Sequence, residues 1–341
     1  MDNENVNIPS ASPEKAGVKK PCKALYFIKP VVFLIIFSML LVLTSYMLAP
    51  KDNTKGSGIN NPNAHGFYSE PKNSIQVAVI GNSDAYSGFS PMELWKNFGY
   101  TSYVSGEGRQ LVASSLIMLN KLLTCQKPEI VIFEVDGVFT DTDVRDKAVS
   151  LFNTVTGGHL SVFQYHDRWK KARLSELFSK PVYTAHCVTK GQKMSNDVKP
   201  YTGGEYMLES DERERMPFVS RRALDEIVDT CEKNGIQLIL LEVPSETSWN
   251  MERHNSIQDY ADEKELPFID LNIDMEETCG VDWLTDTRDK GNHLNTRGAR
   301  KVTQYIGQYL KDNYDLECRT GDEEYSRWDE DLEIYETKAK I

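Results

Sequence analysis

At 341 residues, with 40% hydrophobic and 26% charged side chains, the chain is long enough to bury one large core or two small ones. A formal net charge of −12 leaves no overall basic surface to neutralise a phosphate backbone, which excludes nucleic acid as a partner. Six cysteines (Cys22, Cys125, Cys187, Cys231, Cys279 and Cys318) stand singly, without a close Cys/His cluster. Neither a metal site nor a disulfide framework is expected from them, although a pair among the last five stays open, and no cofactor is called for.

Residues 1–29 read as a polar tail. From Val31 to Leu48 the chain runs VVFLIIFSMLLVLTSYML, uncharged throughout and flanked by Pro30 and Pro50, which predicts a transmembrane helix over 30–50. Lys15, Lys19, Lys20, Lys23 and Lys29 precede it and only scattered lysines follow, so the N-terminus is expected in the cytoplasm and the rest outside. A cleaved signal peptide shares this pattern; the long segment before the apolar run and the lack of a small-x-small cleavage site favour an uncleaved anchor. Cys22, ahead of the run, is not placed like a lipoprotein cysteine and reads as a cytosolic thiol or a palmitoylation site.

Residues 51–73, rich in Gly, Asn, Pro and Ser, read as a linker. A folded domain is then expected over 74–318. Strand patterns SIQVAVIG, TSYVSG, EIVIFEVD, IQLILLEVP and PFIDLN alternate with helical patterns PMELWKNFG, LVASSLIMLNKLL, RRALDEIVDTCEKNG, SIQDYADEKE and TRGARKVTQYIGQYLKDNY. Such alternation predicts an α/β domain with a doubly wound parallel sheet, whose ligands bind beyond the carboxyl ends of the strands. The stretch 137–217, with His159, His166, His186, Phe163, Tyr165 and Trp169, interrupts the pattern and is expected to be an inserted subdomain or lid. Residues 319–341 form an acidic tail; Asp322–Glu336 holds eight acids against one arginine, the composition of a solvated, mobile terminus.

Two segments carry candidate chemistry. Ser83 follows the first strand and Gly81-Asn82, while Ser90-Pro91-Met92-Glu93 reads as a capping box with proline at the first helical position. A serine at that bend is either a nucleophile facing the crevice or an ordinary turn residue. Near the other end, His293 lies in a polar loop before a helix that Asn295 can cap, with Asp286 and Asp289 upstream. A hydroxyl nucleophile needs a base, and the imidazole needs a carboxylate to fix its tautomer; Ser83 and this loop can supply all three groups. The third strand closes on Glu134 and Asp136, which either tune the site or are, respectively, a solvated strand end and a loop cap.

Over about Gly66 to Tyr314 the chain resembles the SGNH/GDSL hydrolase superfamily. The likeness is to its membrane-anchored bacterial branch, related to the teichoic-acid D-alanine transfer protein and to alginate O-acetylation proteins. It rests on the GxS-type turn Gly81-Asn82-Ser83 and on DKGNHLNTRGA with Asp289 and His293. The resemblance implies a flavodoxin-like SGNH hydrolase fold behind one transmembrane helix, with Ser83 as nucleophile, His293 as base and Asp289 as its partner. The Asp289 to His293 spacing is one residue longer than the common DxxH, so Asp286 is the substitute acid. The Asp84 amide and the Gly108 amide in SGEGRQ are the implied oxyanion donors, with Asn82 as a further candidate, because the GxND block is missing. The family reading implies an extracytoplasmic esterase or O-acyltransferase on a cell-envelope polysaccharide or teichoic-acid-like substrate, with a membrane-bound O-acyltransferase as partner. The alternative is a catalytically inactive scaffold or glycan-binding protein of the same fold.

Overall fold

Successive strand residues enter opposite layers, and this alternation builds two cores in the computed structural model, which describes residues 23–339. Ala78, Ile80, Val131, Phe133, Leu238 and Leu240 join one core; Val77, Val79, Ile130, Ile132, Ile239 and Leu241 join the other. The lysines at 15, 19 and 20 and Cys22, on which the expected topology leans, lie outside the described residues.

The five strands are β1 (Val77–Gly81), β2 (Ser102–Gly106), β3 (Ile130–Glu134), β4 (Gln237–Glu242) and β5 (Phe268–Asp270). All pair in parallel, in the order β2-β1-β3-β4-β5. This is the doubly wound order whose crevice opens at the switch point between β1 and β3.

Eleven helices accompany them among the described residues. The first, α1 (Lys23–Leu48), is followed after β1 by α2 (Ser83–Gly88) and α3 (Pro91–Phe98), and after β2 by α4 (Val112–Leu122). The insertion supplies α5 (Val144–Thr156) and α6 (Ser161–Gln164). Then come α7 (Phe218–Asn234), α8 (Met251–Lys264), α9 (Met275–Thr278), α10 (Thr296–Asn313) and α11 (Ser326–Ala339). Residues of α4, α7 and α8 fill the first core and those of α2, α3 and α10 the second, so the sheet is covered on both faces.

Within α1 the stretch Ile28–Leu48 is long and apolar enough to cross a membrane. Pro30 lies inside this helix rather than at its edge; the helix stops at Leu48, just ahead of Pro50, as the steric restriction before proline requires.

Three expectations are corrected. Residues 51–73 are not a free stalk: Asn53 and Phe67 are fully buried, and the Asn53 amide pairs with the backbone of Ala185 through two bonds of 2.9 Å. The acidic terminus is not loose either. Tyr325, Trp328, Leu332 and Tyr335 fall on one face of the terminal segment and pack with Met92 and Trp95 of α3. Under that face Lys190, wholly buried, places Nζ 2.9 Å from both Glu70 carboxylate oxygens and 2.8 Å from Asp331 Oδ2. Finally, Ser90 does begin α3, with Pro91 at its first position, but its hydroxyl does not cap the helix; it bonds Gln192 Oε1 at 2.9 Å and Tyr335 at 3.1 Å.

The insertion has two parts. Residues 144–179 are largely helix and helical turns; 180–216 run as a strap that follows the edge strand β2 and then passes over α2 to the late loop. The strap's Lys190 carbonyl accepts from Val104 N at 2.9 Å, and Lys193 N donates to the Tyr86 carbonyl at 2.9 Å. It then meets the late loop, where Lys199 N donates to Thr287 O and Tyr201 N to Trp283 O. Gly191 is obligatory here: its φ is +93°, and a Cβ would fall 1.9 Å from the Val104 carbonyl oxygen.

Candidate active site

The turn after β1 is tight because Gly81 lets it be. A Cβ on Gly81 would stand 2.6 Å from Glu134 and 2.8 Å from Ala85. Asn82 caps α2, its Oδ1 accepting from Asp84 N at 2.7 Å, so half-buried Ser83 becomes the first residue of the helix. The Ser83 N–H, at that position, has no intrahelical acceptor.

Glu134 staples this turn to the exit of β3. Its Oε2 accepts from Asn82 N at 3.0 Å and its Oε1 from Asp136 N at 2.7 Å. Asn82 Nδ2 in turn donates to Asp136 Oδ2 at 2.5 Å. Glu134 is 1% exposed, so it is a buried clamp and no solvated strand end. Asp136 binds back to the turn after β1 in place of capping the loop that follows it.

The late loop forms the imidazole's support. His293 Nδ1 lies 2.6 Å from Asp289 Oδ2, and Asp289 Oδ1 accepts from His293 N at 2.7 Å. A proton on Nδ1 for this bond leaves Nε2 with its lone pair, the form a general base needs. The longer spacing is accommodated by the turn at Lys290 and Gly291, both with positive φ, closed by Gly291 N donating to Thr287 Oγ1 at 2.8 Å. Asp286 sits elsewhere: fully buried, it accepts from Asp282 N at 2.9 Å and pairs with Lys301 Nζ at 2.5 Å, holding the loop to α10. Asn295 caps α10 through Arg297 N and Gly298 N.

Burial pulls the imidazole pKa below its ordinary value, with Arg288 and Lys193 acting in the same direction and the Asp289 bond opposing them. His293 is therefore neutral at neutral pH. The loop that carries His293 is bonded to the exit of β4, with Glu246 N donating to the Gly291 carbonyl at 2.9 Å and Ser245 Oγ to the Asn292 carbonyl at 3.0 Å, so it lies at the carboxyl end of the sheet, as the Ser83 turn does.

The oxyanion candidates fare unevenly. The Asp84 amide is occupied by the Asn82 side chain, whereas Asn82 Nδ2 spends one of its two N–H groups on Asp136 and keeps the other. Gly108 is exposed in the loop after β2, beside the Tyr86 ring that the strap crosses: a Cβ there would lie 3.7 Å from the Tyr86 hydroxyl.

Beneath the turn lies a group of acids that sequence reading missed as a group. One oxygen each from Asp84, Glu134 and Asp136 fall within 4.8 Å of one another, and fully buried Glu242 adjoins them with neither oxygen bonded to a donor. Burial is the first cause that raises all four, lifting Glu134 to about 8 and Glu242 well above its ordinary value. The two N–H donors aimed at Glu134 oppose the rise there, whereas nothing opposes it at Glu242. Protons held by the fold but released by the unfolded chain above about pH 4.5 make stability fall as pH rises toward 8, by roughly 1 kcal/mol per pH unit for each such carboxyl. Thermal melts from pH 5 to pH 8 are expected to show this decline, and Glu242→Gln to flatten it.

A cleft of about 630 Å³ between α3 and α10 carries none of the candidate catalytic residues. The five described cysteines are all unpaired.

No protein-family model matches the chain, and no curated protein matches it. Among solved structures, the chain is similar to a protein assigned to the G-D-S-L lipolytic family from Desulfitobacterium hafniense DCB-2 (14% identity, 69% of this chain and 98% of that one, TM-score 0.38). It is also similar to a GDSL-like lipase from Bacteroides thetaiotaomicron (13%, 69% and 87%, TM-score 0.35) and to the lipase/acylhydrolase from Enterococcus faecalis (12%, 71% and 98%, TM-score 0.36). Likenesses this distant leave the chemistry to be argued from the chain's own residues.

Proposed function

We propose that the chain is a membrane-anchored serine esterase or O-acyltransferase, its folded part extracytoplasmic, acting on acyl esters of a cell-envelope glycopolymer. The observation that carries the reading is the 2.6 Å bond between His293 Nδ1 and Asp289, at the sheet end where Ser83 opens α2. In this scheme the Ser83 oxygen attacks the ester carbonyl carbon while its proton passes to Nε2 of His293. The bond to the leaving alcohol breaks as that proton moves to the leaving oxygen, and the acyl group stays on Ser83. Water then repeats the sequence to give hydrolysis; a sugar hydroxyl gives transfer. The oxyanion draws on the Ser83 amide at the helix start and on Gly108. Neither a metal nor a cofactor enters the scheme. A membrane-bound O-acyltransferase is the proposed partner, and α1 the anchor.

A second reading, a scaffold or glycan-binding partner without chemistry, is favoured by one observation: the Asp84 amide is tied up internally by the Asn82 side chain. Hydrolysis of an aryl acetate by the purified full chain separates the two. Ser83→Ala is expected to lower the rate by on the order of 1000-fold or more; a rate unchanged by that substitution selects the scaffold.

A further inference from the structure

The insertion is bonded to the very end of the apolar helix. Val162 N, in α6, donates to Ser45 Oγ at 3.3 Å, Arg168 Nη1 to the Leu48 carbonyl at 2.5 Å, and the Tyr46 hydroxyl to the Ser179 carbonyl at 3.3 Å. Ser45 lies three residues, about 4–5 Å of helix, inside the end of the stretch that can cross a membrane. A segment hydrogen-bonded at that level has no room to stand off from a bilayer that α1 spans.

Its composition matches that position. Phe163, Trp169, Leu174, Phe178 and Val182 are exposed, Trp169 by 66% and Phe178 by 86%. Residues 161–182 also carry five basic side chains (Arg168, Lys170, Lys171, Arg173 and Lys180) against two acidic ones (Asp167 and Glu176), in a chain whose net charge is −12. Exposed aromatic and aliphatic side chains interleaved with lysines suit the boundary between acyl chains and anionic headgroups.

We infer that residues 161–182 form a membrane-interface platform, seated on the anionic bilayer surface that α1 emerges from. This rests on the proposed reading of α1 as a membrane anchor. The platform runs on along the chain into the strap, which Val182 N holds to the Lys51 carbonyl at 2.8 Å and which goes on to cross Tyr86, three residues past Ser83.

The test uses the full chain in nanodiscs of phosphatidylcholine and phosphatidylglycerol, with acyl chains either plain or brominated, and compares tryptophan emission of wild type with Trp169→Phe. The Trp169 contribution, taken as the difference, is expected to drop at least about twofold in the brominated discs, because an interfacial ring sits within about 5–10 Å of the acyl boundary. Alkaline carbonate extraction of the same chain from vesicles is run alongside. Retention of the chain with an unquenched Trp169 contribution overturns the platform alone. Release of the chain by carbonate overturns the anchor, and the platform with it.

Discussion

Turnover of an acyl ester by this chain is expected to rise with pH and to level off at neutrality, with its midpoint below the ordinary imidazole value of about 6.5. The sign follows from His293. Burial, aided by Arg288 and Lys193, disfavours the imidazolium, so the neutral base persists to lower pH than a free histidine's would. His293→Ala should remove both the limb and most of the rate, roughly 100 to 10000-fold. Asp289→Asn carries the sharper signature. Asp289 is the group whose hydrogen bond raises the imidazole pKa, so its loss should move the midpoint further down while the rate also falls. A merely structural role for Asp289 would lower the rate without moving the midpoint. The pH–rate profile of the three proteins checks this.

The second large effect is on stability. Lys190→Ala leaves the Glu70 and Asp331 carboxylates facing one another in the interior, where Nζ now lies 2.8–2.9 Å from both and 4.5 Å from the Trp328 ring. Removing one partner from a buried ionic cluster costs about 3–5 kcal/mol, because the remaining charges stay desolvated. For a domain of this size that amounts to a fall in melting temperature on the order of 10 °C. Calorimetry of the two proteins measures it. Limited proteolysis should then cut between α10 and α11 in the variant first. A melting point indifferent to Lys190 would mean that the terminal helix is an appendage and not part of the fold.

The alternating core was legible in the sequence because each strand has an apolar run bounded by turn residues and each major helix an apolar stripe. All five sheet strands and the helices α3, α4, α7, α8 and α10 fall where periodicity predicts them, within a few residues. What escaped has identifiable causes. The short helix α2 has too few residues to show a period, and only the cap made by Asn82 fixes it. In α11 the charge of the acidic run masked a usable signal: Tyr325, Trp328, Leu332 and Tyr335 recur at helical spacing, and that stripe is the face that docks. The linker escaped because it packs through Asn, Ser and Glu side chains bonded to backbone and to Lys190, which composition reads as solvent-loving.

At the site, the residue types in the late loop were legible, and the choice between acids was not. Asp286 and Asp289 look alike in sequence; what separates them is that Lys301, one turn into α10, captures the first and leaves the second for His293. The oxyanion side was read less well. Naming amides by position cannot anticipate that Asn82 would turn its own side chain onto the Asp84 N–H. Nor could Glu134 be read as a clamp, since its two backbone partners come from the ends of different strands.

The central claim is that Ser83 is an activated nucleophile, and intact-mass and peptide mass spectrometry of the full chain after exposure to a fluorophosphonate test it most directly. The account predicts one adduct, on Ser83, absent from Ser83→Ala and strongly slowed in His293→Ala. A folded chain that stays unlabelled, or whose adduct forms on another residue, would contradict it.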